Sequence, residues 1–127
     1  IDVLIVLLPL NLTTHSIINA ELLSQLPEGV YIINVGRGSL VVESDLLEAV
    51  RSGQISGATL DVFDIEPLPK THPFWNESRI TITPHIASLT SPASGSAAVA
   101  SNIRRYRAGH PMLGVADMGD YFAAKEG

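Results

Sequence analysis

Three ionisable residues carry the chemistry that this chain can offer: Arg37, Glu66 and His85. Arg37 sits in Asn34-Val35-Gly36-Arg37-Gly38, directly after the apolar run Val30-Tyr31-Ile32-Ile33. Glu66 sits in Asp61-Val62-Phe63-Asp64-Ile65-Glu66-Pro67, after Gly57-Ala58-Thr59-Leu60. His85 sits in Thr83-Pro84-His85-Ile86-Ala87, after Ile80-Thr81-Ile82. A cation, an acid and an imidazole together suit anion binding combined with proton transfer. Each follows a strand-like run, so three successive strands would each deliver one such group at the carboxyl end. In an open α/β sheet that edge is where ligands bind.

The elements that must position them alternate along the chain. Val3 to Leu8 is continuous and apolar, the pattern of a strand buried on both faces. A loop from Pro9 to Thr14 follows. Asn19 is placed to cap a helix from Ala20 to Leu26, closed by Pro27-Glu28-Gly29. Val30 to Val35 reads as the second strand. Ser44-Asp45 lies near the start of a helix with the apolar stripe Leu46, Leu47 and Val50, ended by Ser52-Gly53. Ile55 to Val62 is the third strand and Arg79 to Thr83 the fourth. Between them, Phe74 and Trp75 are expected to plug a core edge. Pro92 opens a long helix to about Gly109, rich in Ala and weakly amphipathic, suited to close packing on another surface. The segment from His110 to Gly127 has little periodicity, as expected of a tail that docks on a partner or stays disordered. Strands alternating with helices argue for a parallel sheet with right-handed crossovers.

Composition narrows the function classes. The 127 residues suffice for one domain or a large part of one, and 46% are hydrophobic, as in globular α/β proteins. No apolar run approaches the roughly 20 residues that cross a bilayer, so no membrane role is expected. No secretory signal is visible, and cysteine is absent, which fits a cytoplasmic protein without a disulfide framework or thiolate metal site. The net charge of −5 argues against nucleic acid as a partner. Arg104, Arg105 and Arg107 share a helix end, where cations offset the macrodipole. His15, His72 and His110 lack metal-ligand spacing, so no metal site is expected. Ser94-Gly95-Ser96 falls in a helix, with no partner motif for a nucleophile. The chain opens at Ile1-Asp2 and enters a strand-like run by Val3, the pattern expected of a chain cut from a longer protein.

The three motifs around Arg37, Glu66 and His85 resemble the signatures of the D-isomer-specific 2-hydroxyacid dehydrogenases, in their order and spacing, over residues 1 to about 110. Thr81-Ile82-Thr83-Pro84-His85-Ile86-Ala87, and Leu68-Pro69 after Glu66-Pro67, are most similar to the glyoxylate/hydroxypyruvate reductase branch. The resemblance implies an α/β chain that is the C-terminal half of a Rossmann-like, parallel-sheet cofactor domain (residues 1–90). A long interdomain helix and tail toward a substrate domain would follow (residues 91–127). It implies an oxidoreductase that reduces a small 2-keto acid to the 2-hydroxy acid with NADP or NAD as cofactor, commonly as a homodimer.

That resemblance also implies roles. Arg37 would hold the substrate carboxylate and keto oxygen through its planar fork, with Gly36 and Gly38 suggesting backbone close to a ligand. His85 would donate a proton to the keto oxygen as hydride arrives. Glu66 would accept a hydrogen bond from His85 and fix its tautomer. Contacts with the cofactor would come from Pro9, Thr14, Val35, Gly36, Arg37, Asp61, His85 and Ser88. Pro9 and Thr14 match a loop over the ribose, Asp61 an acid near the nicotinamide carboxamide, and Ser88 a position near the nicotinamide ring. Ser91 stands where many members carry a basic or bulky residue.

One departure is large. The Gly-rich turn that cradles a pyrophosphate lies upstream in the family, and Gly36-Arg37-Gly38 lacks its third glycine and its downstream ribose acid. The chain alone is therefore expected neither to bind NAD(P)H tightly nor to turn over substrate, and to self-associate along the open edge beside Val3 to Leu8. Two alternatives to the reductase remain: a cofactor-sensing binding or regulatory module of the same family, and a piece with no activity of its own.

Overall fold

A computed structural model describes residues 1–88 and 91–115. It divides into two compact units, the first Ile1–Ala87 and the second beginning at Ser88. The first unit holds β1 (Val3–Val6), α1 (Ala20–Gln25), β2 (Val30–Asn34), α2 (Glu43–Ser52), β3 (Ile55–Leu60) and β4 (Ile80–Ile82), with short 3-10 turns at Gly38–Leu40 and Pro73–Asn76. The sheet runs in the order β1-β2-β3-β4. All three pairings are parallel, with Ile5 opposite Ile33, Ile32 opposite Ala58 and Leu60 opposite Ile82. This is the parallel α/β arrangement expected from the alternation of patterns. Because the strands share a direction, the segments following β2, β3 and β4 all leave from one edge.

Local sequence explains the elements. Asn19 accepts the Leu22 N–H and caps α1. Glu43 and Asp45 lie in the first turn of α2 and Arg51 in the last, the order that the helix dipole favours. Asp45 also accepts the Ala20 N–H, tying the start of α1 to α2. The α2 stripe of Leu46, Leu47 and Val50 is buried, as its spacing predicts. It meets Ile32, Ile55 and Ala58 of the sheet and Leu40 of the first 3-10 turn in a core where these four are fully buried.

Two expectations need correction. β1 is not buried on both faces: Val6 is 3% exposed but Val3 and Ile5 are 44% and 53% exposed. The strand lies at the sheet edge, and within this unit only its Leu4 and Val6 side meets the core. Trp75 plugs nothing: Phe74 is 1% exposed but Trp75 is 52% exposed, its indole N–H donating to the Pro69 carbonyl. Gly36 and Gly38 also pack closely against the chain itself. A Cβ on Gly38 would lie 1.9 Å from the Phe63 carbonyl carbon, and one on Gly36 2.8 Å from Leu40 Cδ1. No side chain fits at Gly38, where the two loops cross, whereas a Cβ at Gly36 would have to displace the tip of the Leu40 side chain.

The second unit contains α3 (Pro92–Arg107), with Arg104, Arg105 and Arg107 in its last turn. None of its residues is buried within the unit; Val99, Ile103 and Tyr106 are all exposed. Asn102 brackets Leu113 with two hydrogen bonds, folding the following segment back along the helix. The expectation for the tail beyond residue 115 lies outside the described residues. No helix among the described residues is long and apolar enough to cross a membrane.

Candidate active site

Arg37, Glu66 and His85 leave the same edge of the sheet after β2, β3 and β4. Two of them meet. His85 Nδ1 lies 2.8 Å from Glu66 Oε2, with the side chains 47% and 36% exposed. The other carboxylate oxygen, Glu66 Oε1, accepts the Phe63 N–H at 2.9 Å. These two hydrogen bonds, to His85 first and to Phe63 second, outweigh desolvation and hold the Glu66 carboxyl below its usual range, with the His85 and Arg37 charges adding to the effect. A carboxylate accepting from Nδ1 keeps the proton there and leaves Nε2 as the working nitrogen.

The backbone under His85 is unusual. His85 has φ +54°, in the left-handed region that only a few per cent of non-glycine residues adopt. Asp61 holds it there. Asp61 is 2% exposed and its carboxylate accepts the Thr83 hydroxyl, the Ile86 N–H at 2.9 Å and the Ala87 N–H at 2.8 Å. Those partners bracket His85 on both sides. Burial pushes the Asp61 carboxyl up, and the bonds from Thr83, Ala87 and Ile86 more than reverse it, so the group lies below its ordinary value.

Arg37 is presented by a second buried polar residue. Asn34, 1% exposed, accepts the Gly36 N–H at 3.1 Å and donates to the Arg37 carbonyl at 3.1 Å. The exposed Arg37 side chain donates from Nη1 to the Gly36 carbonyl at 2.7 Å, which leaves most of its donors free. Sequence reasoning passed over Asn34 as a strand residue. Its signal is a lone amide at the end of an apolar run, followed by a turn that needs local partners.

The remaining candidates fall as follows. Thr14 donates to the Pro9 carbonyl at 2.7 Å and accepts the Asn11 N–H at 2.9 Å, closing the loop after β1. Val35 is half-buried and bonds through its N–H to the Val6 carbonyl, placing Gly36 beside that loop. Ser88 belongs to the second unit and is exposed. A cavity of about 410 Å³ adjoins the His85–Glu66 pair, with Phe63, Leu68, Trp75 and Ile82 among its walls. Among the described residues, no group of three or more His, Cys, Asp or Glu is placed to hold a metal ion.

A parallel sheet that presents an imidazole–carboxylate pair and an arginine at its carboxyl edge is the class of site used for anion binding with proton transfer. Residues 1–87 match the family model described as D-isomer specific 2-hydroxyacid dehydrogenase, NAD binding domain. The chain belongs to that family. It is 48% identical over 118 residues to glyoxylate/hydroxypyruvate reductase A of Serratia proteamaculans, covering 93% of this chain and 38% of that protein. The chain thus spans well under half the length of this curated relative. Among solved structures, a D-isomer specific 2-hydroxyacid dehydrogenase of Xanthobacter autotrophicus, in complex with NADPH and MES, superposes with a TM-score of 0.87 at 45% identity. That match covers 91% of this chain and 48% of the other. The NADPH-dependent glyoxylate/hydroxypyruvate reductase of Sinorhizobium meliloti, in complex with NADP and sulfate, superposes with a TM-score of 0.89 at 37% identity, covering 94% and 39%.

Proposed function

We propose that this chain is the catalytic half of the cofactor domain of a reductase that converts a small 2-keto acid, of the glyoxylate or hydroxypyruvate type, into its 2-hydroxy acid. Residues 1–90 would belong to that domain and residues 91–127 would lead toward the substrate domain. The observation that carries the reading is the 2.8 Å bond between His85 and Glu66 at the carboxyl edge of the parallel sheet, the edge from which the segment bearing Arg37 also leaves.

Reduction of a keto acid requires a hydride at the carbonyl carbon and a proton at its oxygen. The NADP or NAD cofactor supplies the hydride when bound. The residues following β1 and β2 suit its nicotinamide end: the closed loop of Pro9 and Thr14, and the Val35-Gly36 backbone beside it. Asp61, near the nicotinamide carboxamide by the family resemblance, has one carboxylate lone-pair site left after its three bonds. Arg37 binds the substrate carboxylate and polarises the keto oxygen. His85 then gives its Nε2 proton to that oxygen, and Glu66 stabilises the imidazolium before transfer and the Nδ1–H tautomer after it. The reverse oxidation runs through the same groups.

The test is NADPH oxidation by the full-length protein with glyoxylate or hydroxypyruvate. Saturable turnover that collapses in the His85→Ala variant supports the reading; undiminished turnover in that variant refutes it. A homodimer acting in the cytoplasm completes the proposal, and sedimentation of the full-length protein checks its dimeric part.

A further inference from the structure

The inner His85–Glu66 pair has an outer counterpart. His72 Nε2 lies 3.2 Å from Glu43 Oε2, and the two side chains are only 19% and 22% exposed. The other Glu43 oxygen, Oε1, accepts the Asp64 N–H at 3.1 Å. The amide one residue earlier, Phe63 N–H, is the one that holds Glu66 Oε1. Two consecutive peptide N–H groups thus grip two carboxylates, one from the loop itself and one from the first turn of α2. They are joined through Phe63, whose side chain is buried. Peptide planarity leaves only the two dihedrals of Phe63 between them, so the grip on the Asp64 amide limits how far the Phe63 amide can swing.

His72 is itself fixed. Its Nδ1 accepts the Phe74 N–H at 3.4 Å, and its ring meets the buried Phe74 ring edge-on at 4.6 Å between centroids. With Nδ1 accepting, the neutral imidazole carries its proton on Nε2 and donates it to Glu43. The loop between these grips has exposed residues from Asp64 to Pro67 and no regular secondary structure. Hydrogen bonds from outside the loop therefore set its course. Ser39 Oγ adds one more, to Asp64 Oδ1 at 2.5 Å.

We propose that His72, acting through Glu43, positions the loop that aims Glu66 at His85, and so is a positioning residue for the reaction. This rests on the reading of His85 and Glu66 given above. Neither outer residue lines the cavity beside His85 and Glu66, so the effect is expected on kcat and not on KM.

The experiment uses the full-length protein with NADPH and glyoxylate, and compares His72→Leu with His72→Gln. The glutamine amide donates where the imidazole Nε2–H does; leucine has no donor. In His72→Leu, kcat is expected to fall about ten- to hundredfold, the usual effect of a small misplacement of a catalytic group, with little change in KM. His72→Gln restores most of it. Glu43→Ala reproduces the loss, and the Leu/Ala double variant is no worse than either single one, because both remove one connected tie. Hydrogen exchange of the Phe63–Glu66 segment gives an independent readout: faster in His72→Leu and in Glu43→Ala, near wild type in His72→Gln. Wild-type kcat in His72→Leu, a loss that glutamine fails to restore, or additive losses in the double variant overturn the proposal. If His72→Leu does not fold, Glu43→Ala decides alone, and wild-type kcat and exchange there overturn it. If the wild-type protein reduces no 2-keto acid, the reading of the site fails; the tie is then judged by exchange, and unchanged exchange overturns it.

Discussion

Asn34 and Asp61 stand at matching places in the sheet and do different work. Both lie at the carboxyl ends of central strands, both are almost wholly buried, and each holds a turn that presents an exposed ionisable residue. Asn34 is neutral and local: its amide bonds reach only two and three residues ahead, to Gly36 and Arg37. Asp61 is charged and remote: its three partners, Thr83, Ile86 and Ala87, lie 22 to 26 residues away on the segment after β4. A local clamp suits Arg37, whose long side chain finds its own direction. A charged, long-range clamp suits His85, a shorter side chain on left-handed backbone that must meet Glu66. The arginine is presented by a turn, whereas the histidine is presented by the tertiary structure.

The comparison is sharpest at the side chains themselves. His85→Ala in the full-length protein is expected to lower keto-acid turnover by about 10² to 10⁴, the usual contribution of a general acid. Its thermal unfolding should stay close to wild type, since the exposed imidazole adds little to packing. Arg37→Ala should raise KM and lower kcat together, because the guanidinium binds the carboxylate in both ground and transition states. Steady-state kinetics on both variants checks this, and an Arg37 variant that changes kcat alone would mean that Arg37 does not hold the substrate.

The clamps come next. Asp61→Ala leaves two backbone N–H groups and a hydroxyl without their acceptor, at a cost of about 3 kcal/mol in stability. Asn34→Leu leaves one N–H and one carbonyl unpaired in a turn that keeps its local geometry, at about 1–2 kcal/mol. Urea unfolding ranks the two. The reverse order would mean that the turn bearing Arg37 depends on its clamp more than the turn bearing His85 does.

The same contrast explains which features could be read in the residue order. The position of Arg37 was legible because its glycine-flanked turn directly follows an apolar run, and the strands and the α2 stripe were legible because periodicity is local; the Asn34 clamp was not, since a lone amide at a strand end reads as one more strand residue. The left-handed backbone at His85 was not, since the acid that enforces it lies on another strand. Nor was the purpose of Gly38, which yields to Phe63 across a loop crossing 25 residues away, or the bond from Glu43 to the Asp64 N–H. The run at Val3 to Leu8 reports what a strand can bury, and within residues 1–87 β1 meets the core on its Leu4 and Val6 side. Trp75 misled: its size suggested core, while its indole N–H found a carbonyl at the surface. The Glu66–His85 pairing was reached through the resemblance, as two motifs of one site, and its stiffness comes from bonds that neither motif contains.

The smallest expected effect separates the clamps by charge and is silent at neutral pH. The Asp61 carboxyl sits below its ordinary value in the folded chain, because the bonds from Thr83, Ala87 and Ile86 outweigh its burial. A group whose folded pKa is depressed adds stability that is complete above its unfolded pKa of about 3.9 and disappears as pH falls through the lower folded value. Wild type should therefore lose stability below about pH 4 partly through Asp61, while Asn34, which does not titrate, adds nothing to that slope. Glu66 and Glu77 are depressed as well, Glu66 by its bond to His85 and Glu77 by its bond to Arg79, and they contribute in the same acid window. Comparing wild type with Asp61→Asn cancels both, since each variant retains them. Urea midpoints measured from pH 6 down to pH 3 should fall more steeply for wild type than for Asp61→Asn, the two curves converging toward the acid end. Parallel curves would mean that the turn bearing His85 is held as well by a neutral side chain as by a charged one, and the distinction between the two clamps would reduce to one of distance along the chain.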